Sequence, residues 1–314
     1  MSSLALVLRA VLLFACYGPG LTLAAASVEP VVSGAPVPAP VTNKSALFKV
    51  SRAGEVAYLF GTVHIGDASL YPLAPAVGGA LAGADELVLE LDTRDEAAFQ
   101  LALSRHARYP TGDTIAAHVA PGTLVRLRAA LHAEGIALSN VDQLKPWLLA
   151  NYLMGLELQR SGLQRTLGNE TFLLEQVKAR GTVVTELESA DAQLGMFDTM
   201  SPAEAEHYLC EALDQLADGR SLRAAKATIA AWRSGDPAAL DALMADAVDG
   251  GSVMAEFTRR MILGKRNPEM ALRIERIMKP GKTAFVGVGL LHLLGTEGVP
   301  RLLAQRGFTV ERVD

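Results

Sequence analysis

The chain has 314 residues, of which 50% are hydrophobic and 20% are charged. This composition excludes intrinsic disorder over most of the length, and the chain is long enough to bury one large core or two modest ones. Lys and Arg total 29 against 34 for Asp and Glu, which gives a net charge of -5 with no Lys- or Arg-rich block. We therefore expect no nucleic-acid partner, because capture of a phosphate backbone needs clustered cations.

The amino terminus has the pattern of an export signal. Residues 1–26 contain one positive charge, at Arg9, then an apolar run over residues 10–15 and a small-residue end at residues 24–26. This pattern predicts a cleavable signal peptide, and we expect an exported protein, either periplasmic or secreted. The apolar run is shorter than the ~20 residues of a membrane-spanning helix, so we expect no membrane span in the mature chain. A lipid anchor at Cys16 is the alternative to cleavage.

A linker and a single folded domain are predicted to follow the signal. Residues 27–42 contain four prolines among small residues, a composition that favours an extended tether. The domain should then occupy residues 43–314. Because removal of the signal leaves Cys210 as the only cysteine, the fold must be held by packing rather than by an internal disulfide.

The domain alternates between strand and helix patterns. Short apolar and β-branched runs predict six strands, at residues 46–50, 56–60, 86–91, 182–187, 283–288 and 308–312. Apolar residues at helical spacing predict helices within residues 72–84, 95–180, 190–278 and 297–306, with breaks at Gly and Pro. We predict an α/β (α+β) fold in which a mixed central sheet of about six strands is surrounded by helices, with a helical cap from the middle of the chain.

Two histidines follow predicted strands at the same spacing from a glycine. The pattern G-x-x-H occurs at residues 61–64 and 289–292 and ends in His64 and His292. A glycine at the first position favours a tight turn that would return the imidazole toward the end of the sheet. Because the carboxyl ends of parallel strands open on one crevice, we expect both imidazoles to lie in it.

Acidic residues end two other predicted strands and should join the histidines. Glu90 and Asp92 lie at the end of the third strand, and Glu188 follows the fourth. Glu90 has apolar neighbours, so if it faces inward its charge needs a cation or a metal as partner. Two imidazoles and one carboxylate suit a divalent transition metal such as Mn, Co or Zn.

This set of ligands predicts metal-assisted hydrolysis. His64, Glu90 and His292 would hold the metal, and Asp92 would support one of the imidazoles through a hydrogen bond. Glu90 or Glu188 would take a proton from the attacking water. The pattern alone leaves a second interpretation equally open, in which both histidines are structural and Glu90 faces solvent.

Other chemistry-bearing residues fit no catalytic pattern. His106, His118, His132 and His207 lie among charged neighbours, as surface histidines do, and Cys210 is expected to be a buried, inert thiol. The chain has no nucleophile elbow, no phosphate-binding glycine loop and no dinucleotide fingerprint. Nucleotide and nicotinamide chemistry are therefore disfavoured.

These motifs resemble the TraB/GumN family. Its hallmark is two G-x-x-H motifs, one near each end of the domain, with a glutamate in the strand after the first. The matching segments here are residues 58–66, 87–92 and 285–292, with lesser marks at residues 145–147, 187–188, 232–236 and 266–267. The similarity extends from Ala46 to Val313, nearly the whole predicted domain.

The resemblance implies a site and a class of activity. It carries over His64, Glu90 and His292 as site residues of a metal-dependent hydrolase that acts on a peptide or a small molecule, with proteolysis assigned to the TIKI branch that cleaves Wnt. Arg266 would bind a substrate carboxylate or orient Glu90. Related folds also bind haem. The alternatives are therefore a non-catalytic protein that holds haem or another ligand in the same crevice, or a protein that binds a partner through its cap.

Overall fold

The fold is seen in a computed structural model that describes Lys44 and residues 46–313. The predicted signal peptide at residues 1–26, the linker at residues 27–42 and the alternative anchor site at Cys16 lie outside the described residues. Within the described part of the chain, no helix is both long enough and apolar enough to cross a membrane. Signal cleavage and lipid anchoring stay predictions.

Six strands within residues 46–313 form one mixed sheet. They are β1 (Leu47–Arg52), β2 (Glu55–Thr62), β3 (Glu86–Leu89), β4 (Val183–Glu186), β5 (Thr283–Gly289) and β6 (Thr309–Val313). The order across the sheet is β4-β3-β5-β2-β1-β6. The first four strands of this order run parallel, whereas β1 is antiparallel to both β2 and β6. The predicted mixed sheet is confirmed, and the ends of each predicted strand are shifted by two residues at most.

Helices occupy the connections between the strands. They are α1 (Pro75–Ala82), α2 (Glu96–His106), α3 (Pro121–Ala133), α4 (Pro146–Arg160), α5 (Asn169–Lys178), α6 (Ala190–Gly195), α7 (Pro202–Asp218), α8 (Arg220–Ser234), α9 (Pro237–Val248), α10 (Val253–Phe257), α11 (Arg266–Ile277) and α12 (Val299–Gln305). A π-helix, Thr258–Lys265, joins α10 to α11. Several of the α-helices begin at a proline, because its fixed φ and missing N–H suit the first helical turn.

The helices cover both faces of the sheet, as the predicted α/β class requires. Side chains alternate along a strand, so neighbouring residues of one strand enter different cores. One face packs against the helical cap, which we define as α2 to α10 without α5, and presents Phe60, Leu87, Leu89 and Phe285. The other face packs against α11 and α12 and presents Leu59, Val88, Val286 and Val288. Neither core covers the carboxyl ends of the parallel strands, which lie together at one edge of the sheet.

Candidate functional site

Three residues predicted from the sequence lie at the carboxyl ends of adjacent parallel strands. His64 follows β2 by two residues, Glu90 follows β3 directly, and His292 lies in a short 3₁₀ helix (Leu290–Leu293) after β5. Their exposed fractions are 9%, 7% and 0%, respectively. The interpretation in which Glu90 faces solvent is therefore wrong. Since β3, β5 and β2 are neighbours, the sheet order itself brings the three side chains to one crevice.

The glycines of the G-x-x-H motifs do not adopt the left-handed backbone conformation that favours glycine. Neither Gly61 nor Gly289 has a positive φ, although a 3₁₀ helix turns the chain directly after Gly289. At Gly61, a Cβ atom would lie 2.8 Å from Leu290 Cδ1 and 3.3 Å from Leu290 Cα. Glycine is needed there because β2 and the segment after β5 approach closely. The Gly61 carbonyl also accepts a 2.6 Å hydrogen bond from Trp232 Nε1, which ties the first motif to α8.

His292 is oriented by the amide of Asn267. Its Nδ1 lies 2.5 Å from Asn267 Oδ1, and since an amide oxygen only accepts, Nδ1 carries the proton. Asn267 Nδ2 donates in turn to the carbonyl of Glu297 at 2.8 Å. Burial, together with the Arg266 guanidinium, lowers the pKa of His292 to about 3. The ring is therefore neutral at physiological pH, with an unprotonated Nε2.

His64 is oriented by the carboxylate of Glu170, on the first turn of α5. His64 Nδ1 lies 2.7 Å from Glu170 Oε1. The preceding residue, Asn169, is fully buried and accepts a 2.9 Å hydrogen bond from the Val63 N–H, which fixes the start of α5 beside His64. Burial acts to lower the pKa of His64, but the Glu170 carboxylate outweighs it and the net shift is upward. Burial raises the pKa of Glu170, yet His64 reverses this and the net shift is downward.

The second nitrogen of each imidazole has no partner. His64 Nε2 and His292 Nε2 are both buried and make no hydrogen bond with any described residue. Glu90 Oε1 lies 3.7 Å from His292 Nε2, which is beyond hydrogen-bond distance. A buried polar atom without a partner is costly and rare in folded proteins, and it needs an explanation such as a catalytic role or a bound ligand.

A buried ion-pair network joins the acidic residues of the site. Arg266 Nη2 lies 2.5 Å from Glu90 Oε2 and 2.6 Å from Glu188 Oε2, and Arg266 Nε donates to both oxygens of Glu188. Gln193 Nε2 donates to Glu188 at 2.8 Å, and the Gly289 N–H donates to Glu90 Oε1 at 2.6 Å. Burial raises the pKa of Glu90, but the Arg266 guanidinium, the two imidazoles and the Gly289 N–H together outweigh it, and the net pKa is well below the usual range. Glu90 is therefore ionised, and Arg266 is the cation that pairs with its buried charge.

A π-helix precedes Arg266 and Asn267. It spans Thr258–Lys265 and ends directly before Arg266. Consecutive residues of an α-helix point about 100° apart. Arg266 therefore contacts the two carboxylates, while Asn267 contacts His292. Such π-helical segments occur frequently at functional sites.

A small cavity opens beside the site. Its volume is about 30 Å³, and it is lined by His64, Glu90, Leu91, Thr93, Arg165, Glu170, Thr171 and Gln193. This volume holds an ion or one to two water molecules. Two of the lining residues, Thr93 and Thr171, are exposed at the surface, so the cavity can be entered from solvent.

Sequence reasoning missed the residues that support the imidazoles. Asp92 was expected in this role, but its carboxylate accepts from Arg94 Nε at 2.8 Å and contacts neither histidine, because the chain turns outward after Glu90. Glu170 and Asn267 take the role instead. Asn267 lies in one of the lesser segments that resemble the family, residues 266–267. Among the residues described, no three His, Cys, Asp or Glu side chains form a ready-made metal cluster.

The fold and the site define an α/β protein with a two-histidine crevice at the carboxyl edge of a mixed sheet. Residues 46–312 match the TraB/PrgY/gumN family, and the chain belongs to this family. Relatives named "Uncharacterized protein YbaP" from Escherichia coli (strain K12) and from Shigella flexneri are each 24% identical to it over 246 residues, which cover 78% of this chain and 87% of theirs. No solved structure matches this chain. The resemblance seen in the sequence is thus confirmed at the level of the family.

Proposed function

We propose that this protein is a metal-dependent hydrolase in which Nε2 of His64 and Nε2 of His292 hold a divalent transition metal. The observation that carries the proposal is that both of these nitrogens are buried and unpartnered. Each ring has its Nδ1 engaged by an acceptor, Glu170 or Asn267. Metal-ligating histidines have this arrangement, because the acceptor fixes the tautomer and turns the Nε2 lone pair toward the ion.

Glu90 completes the proposed set of ligands. Its lowered pKa keeps it as a carboxylate, and its Oε1 faces His292 Nε2 at 3.7 Å while Oε2 is engaged by Arg266. Two imidazoles and one carboxylate suit Mn, Co or Zn. When bound, such a metal supplies Lewis-acid chemistry, in which it activates water or polarises a carbonyl.

Arg266 and Glu188 act as positioning residues in this proposal. The guanidinium of Arg266 is buried and engages Glu90 and Glu188 through Nε and Nη2, so in this proposal it orients Glu90 rather than a substrate carboxylate. Glu188 does not line the cavity, and its carboxylate is engaged by Arg266 and Gln193. Of the two acids first considered for proton transfer, Glu90 is therefore the one that can reach a water in the cavity.

The size of the cavity favours a hydrolase over a haem-binding protein. Pockets for large organic ligands measure roughly 300–1,000 Å³, whereas the cavity at His64 and Glu90 measures about 30 Å³. A metal and a water fit this volume, and a substrate would approach from the surface. Peptides are the first substrate class to test. If the protein is exported, as residues 1–26 predict, the reaction takes place outside the cytoplasm.

Metal content tests the ligand assignment directly. The purified protein and its His64→Ala, His292→Ala and His118→Ala variants would be loaded with Mn, Co or Zn, desalted and measured by mass spectrometry. We expect near-stoichiometric metal in the parent and its loss in the first two variants. His118→Ala is the matched control, since that ring pairs with Asp113 on the surface, and it should keep the metal. Circular dichroism of each variant separates loss of metal from loss of fold.

Hydrolysis is then tested with quenched fluorescent peptides and the metal-loaded proteins. We expect turnover by the parent and by His118→Ala, with none by either site variant. Full activity in His64→Ala or His292→Ala would overturn the proposal. A parent protein that takes up no metal and cleaves no peptide would also overturn the proposal. A Soret band that forms on haem titration and is lost in the same two variants would indicate a haem-binding function instead.

A further inference from the structure

We infer that His106 is a positioning residue of the histidine crevice, because its imidazolium joins both ends of the segment that carries Gln193. The segment, called here the α6 segment, comprises α6 (Ala190–Gly195) and the 3₁₀ helix that follows it (Met196–Thr199). His106 is the last residue of α2 and lies outside the crevice. Its hold on the α6 segment needs no metal, and only the consequence for metal binding rests on the proposed function.

Both ring nitrogens of His106 face carboxylates of the α6 segment. Nδ1 lies 2.5 Å from Asp198 Oδ2, and Nε2 lies 3.1 Å from Asp191 Oδ1. An ionised carboxylate only accepts hydrogen bonds, so each nitrogen must carry a proton for both bonds to form. A neutral ring carries one proton and can keep only one of them. The imidazolium is therefore the form of His106 that ties α2 to both ends of the α6 segment.

Two other cations face the same carboxylates, but each of them contacts one acid only. Arg105, also on α2, lies 3.1 Å from Asp191. Lys145, directly before α4, lies 2.7 Å from Asp198. Among the residues described, His106 is the one that contacts both acids. The side chain of His106 is 18% exposed and that of Arg105 is 57% exposed, so water competes less for the bonds of the imidazole.

The α6 segment carries Gln193 to the crevice. Gln193 is buried and lines the cavity together with His64 and Glu90. Its Nε2 donates to Glu188 at 2.8 Å and to Glu90 at 3.3 Å. Gln193 therefore lies where it can orient Glu90, the carboxylate proposed as a metal ligand.

α6 is too short to hold Gln193 in place without its neighbours. It has six residues, whereas isolated helices of fewer than about 12 residues are marginal in water. Ser189 caps its first turn by accepting a hydrogen bond from the Ala192 N–H. At its other end the His106 ring lies against Gly195, where a Cβ atom would be 3.4 Å from Cε1 of the ring. The position of α6 thus depends in part on its contacts with α2.

The hold of His106 on the α6 segment should depend on pH. Burial lowers the pKa of His106, but the hydrogen bonds and charges of Asp198 and Asp191 outweigh it and the net shift is upward. With a raised folded-state pKa, the contribution is complete below the unfolded-state value of about 6.5 and is lost as pH rises through the folded-state value. We expect the α6 segment to open about fivefold more often at pH 9 than at pH 6, as partly exposed ion pairs allow.

Hydrogen exchange of the full chain in the presence of a chelator tests the inference without metal. Peptides covering residues 190–199 would be followed by mass spectrometry at pH 6 and pH 9, with each rate divided by the intrinsic rate of an unfolded chain at that pH. We expect the normalised rate of the parent to rise about fivefold. His106→Phe keeps a ring against Gly195 but removes both donors, so it should exchange at the faster rate at both pH values. His132→Phe, at an exposed position in the last turn of α3, is the matched control and should behave as the parent does.

Removing the two acids tests the same contacts from the other side. Asp191→Asn combined with Asp198→Asn should lose the pH dependence, because the ring then has no carboxylate to pair with. Circular dichroism checks the fold of each variant, and if His106→Phe does not fold, this double variant takes its place in the comparison. Equal exchange of residues 190–199 in the parent at the two pH values would overturn the inference. A pH dependence that persists in the folded variants would do so too, since a ring that only packs against Gly195 does not produce it.

The outcomes separate the role of His106 from the hydrolase. Exchange measured with a chelator does not depend on metal chemistry at His64 and His292. The expected pH dependence in a protein that takes up no Mn, Co or Zn would support the role of His106 and overturn the proposed function. Metal uptake and hydrolysis without that pH dependence would do the reverse. If both hold, His106→Phe should also weaken metal binding about fivefold at pH 6, because Gln193 no longer orients Glu90, and the effect should be smaller at pH 8.

Discussion

The two ends of the parallel strands hold the same kind of ion pair in opposite environments. At the carboxyl ends, Arg266 joins Glu90, and the two residues are 3% and 7% exposed. At the amino ends, Lys282 joins Asp85 at 2.9 Å, with side chains that are 64% and 42% exposed. Water solvates and screens the second pair, whereas the first depends on the protein alone.

This difference in exposure indicates why charged residues are present at each end of the parallel strands. An exposed pair is compatible with almost any neighbour and adds little to stability. A buried pair must recover a large desolvation cost, and a hydrophobic replacement is often as stable, so buried charge is weak evidence of a stabilising role. At the carboxyl ends the buried charge is accompanied by two unpartnered imidazole nitrogens, on His64 and His292. Buried polar groups that lower stability without a compensating interaction are typical of functional sites.

The largest effect on stability is expected from Arg266→Met. The substitution leaves Glu90 buried without its cation, and breaking a buried pair from one side costs about 3–5 kcal/mol. Urea denaturation at pH 7, followed by circular dichroism, measures this free energy of unfolding. A loss well below 1 kcal/mol would contradict the view that the network is isolated from solvent.

The pH dependence of the same variant checks the cause. In the parent the pKa of Glu90 is lowered, so the pairing contributes stability above the unfolded-state pKa of about 4.3 and loses it as pH falls further. In Arg266→Met the pKa of Glu90 is expected to rise with burial, so the variant regains stability when acidification adds a proton. The difference between parent and variant should therefore be smaller at pH 5 than at pH 7. An equal difference at both pH values would attribute the loss to packing alone.

Asn267→Leu should have the next largest effect. It leaves the His292 Nδ1–H and the Glu297 carbonyl without their partner, and a buried unsatisfied group costs about 1–3 kcal/mol. If His292 is a metal ligand, the same variant should also bind metal about 10–100-fold more weakly, because the acceptor that orients the ring is gone. Asn140→Leu, at an exposed position, is the control and should change neither property. Normal metal affinity in Asn267→Leu would indicate that His292 serves the fold alone.

The strands and the two histidines were predictable because their signals are local. A run such as Phe285 to Val288 indicates a buried strand by its own composition, and G-x-x-H is read within four residues. The convergence of His64, Glu90 and His292 followed from one general property of parallel strands. The sequence therefore predicts where the strands end and which residues follow them.

The supporting residues were not predictable because their partners are distant in sequence. Glu170 contacts His64 across 106 residues, since α5 returns to the loop after β2, and no periodicity records that return. Asp92 was favoured because it is close to Glu90 in sequence, yet the chain turns outward there and pairs Asp92 with Arg94. The role of Gly61 was likewise misjudged, because a close approach to Leu290 depends on tertiary packing.

Glu157, on α4 in the helical cap, lies in a third environment. Its carboxylate is buried, but unlike that of Glu90 it has no cation close to it. It is 9% exposed and its Oε2 has no hydrogen-bond partner among the described residues. Burial raises its pKa to about 7. The charged groups that act on it in addition are Arg160, Glu134, Arg223 and Asp218. The Arg266 guanidinium lies within hydrogen-bond distance of Glu90, whereas the charged groups around Glu157 act on it from further away, and the two pKa values shift in opposite directions.

Glu157→Gln should consequently stabilise the protein at high pH. The folded-state pKa lies above the unfolded-state value, so the folded state binds more protons and stability falls as pH rises from about 4.3 to 7. Removing the charge should add about 1–2 kcal/mol at pH 8 and less at pH 5, where only part of this loss of stability has occurred. Urea denaturation of parent and variant at the two pH values measures this. An equal effect at both pH values would show that burial does not raise the pKa of Glu157.

The smallest effect is expected from Lys282→Met, which repeats the cation-to-methionine change of Arg266→Met at the amino ends. Asp85 keeps its 2.9 Å hydrogen bond from the Thr283 N–H, and its carboxylate stays in water. The urea midpoint should not change measurably at physiological salt, because mobile ions screen an exposed pair. A small loss that appears at low salt alone would agree with this account. A loss as large as that of Arg266→Met would show that burial does not set the cost of breaking a pair in this sheet, and the functional argument from the buried network would fail with it.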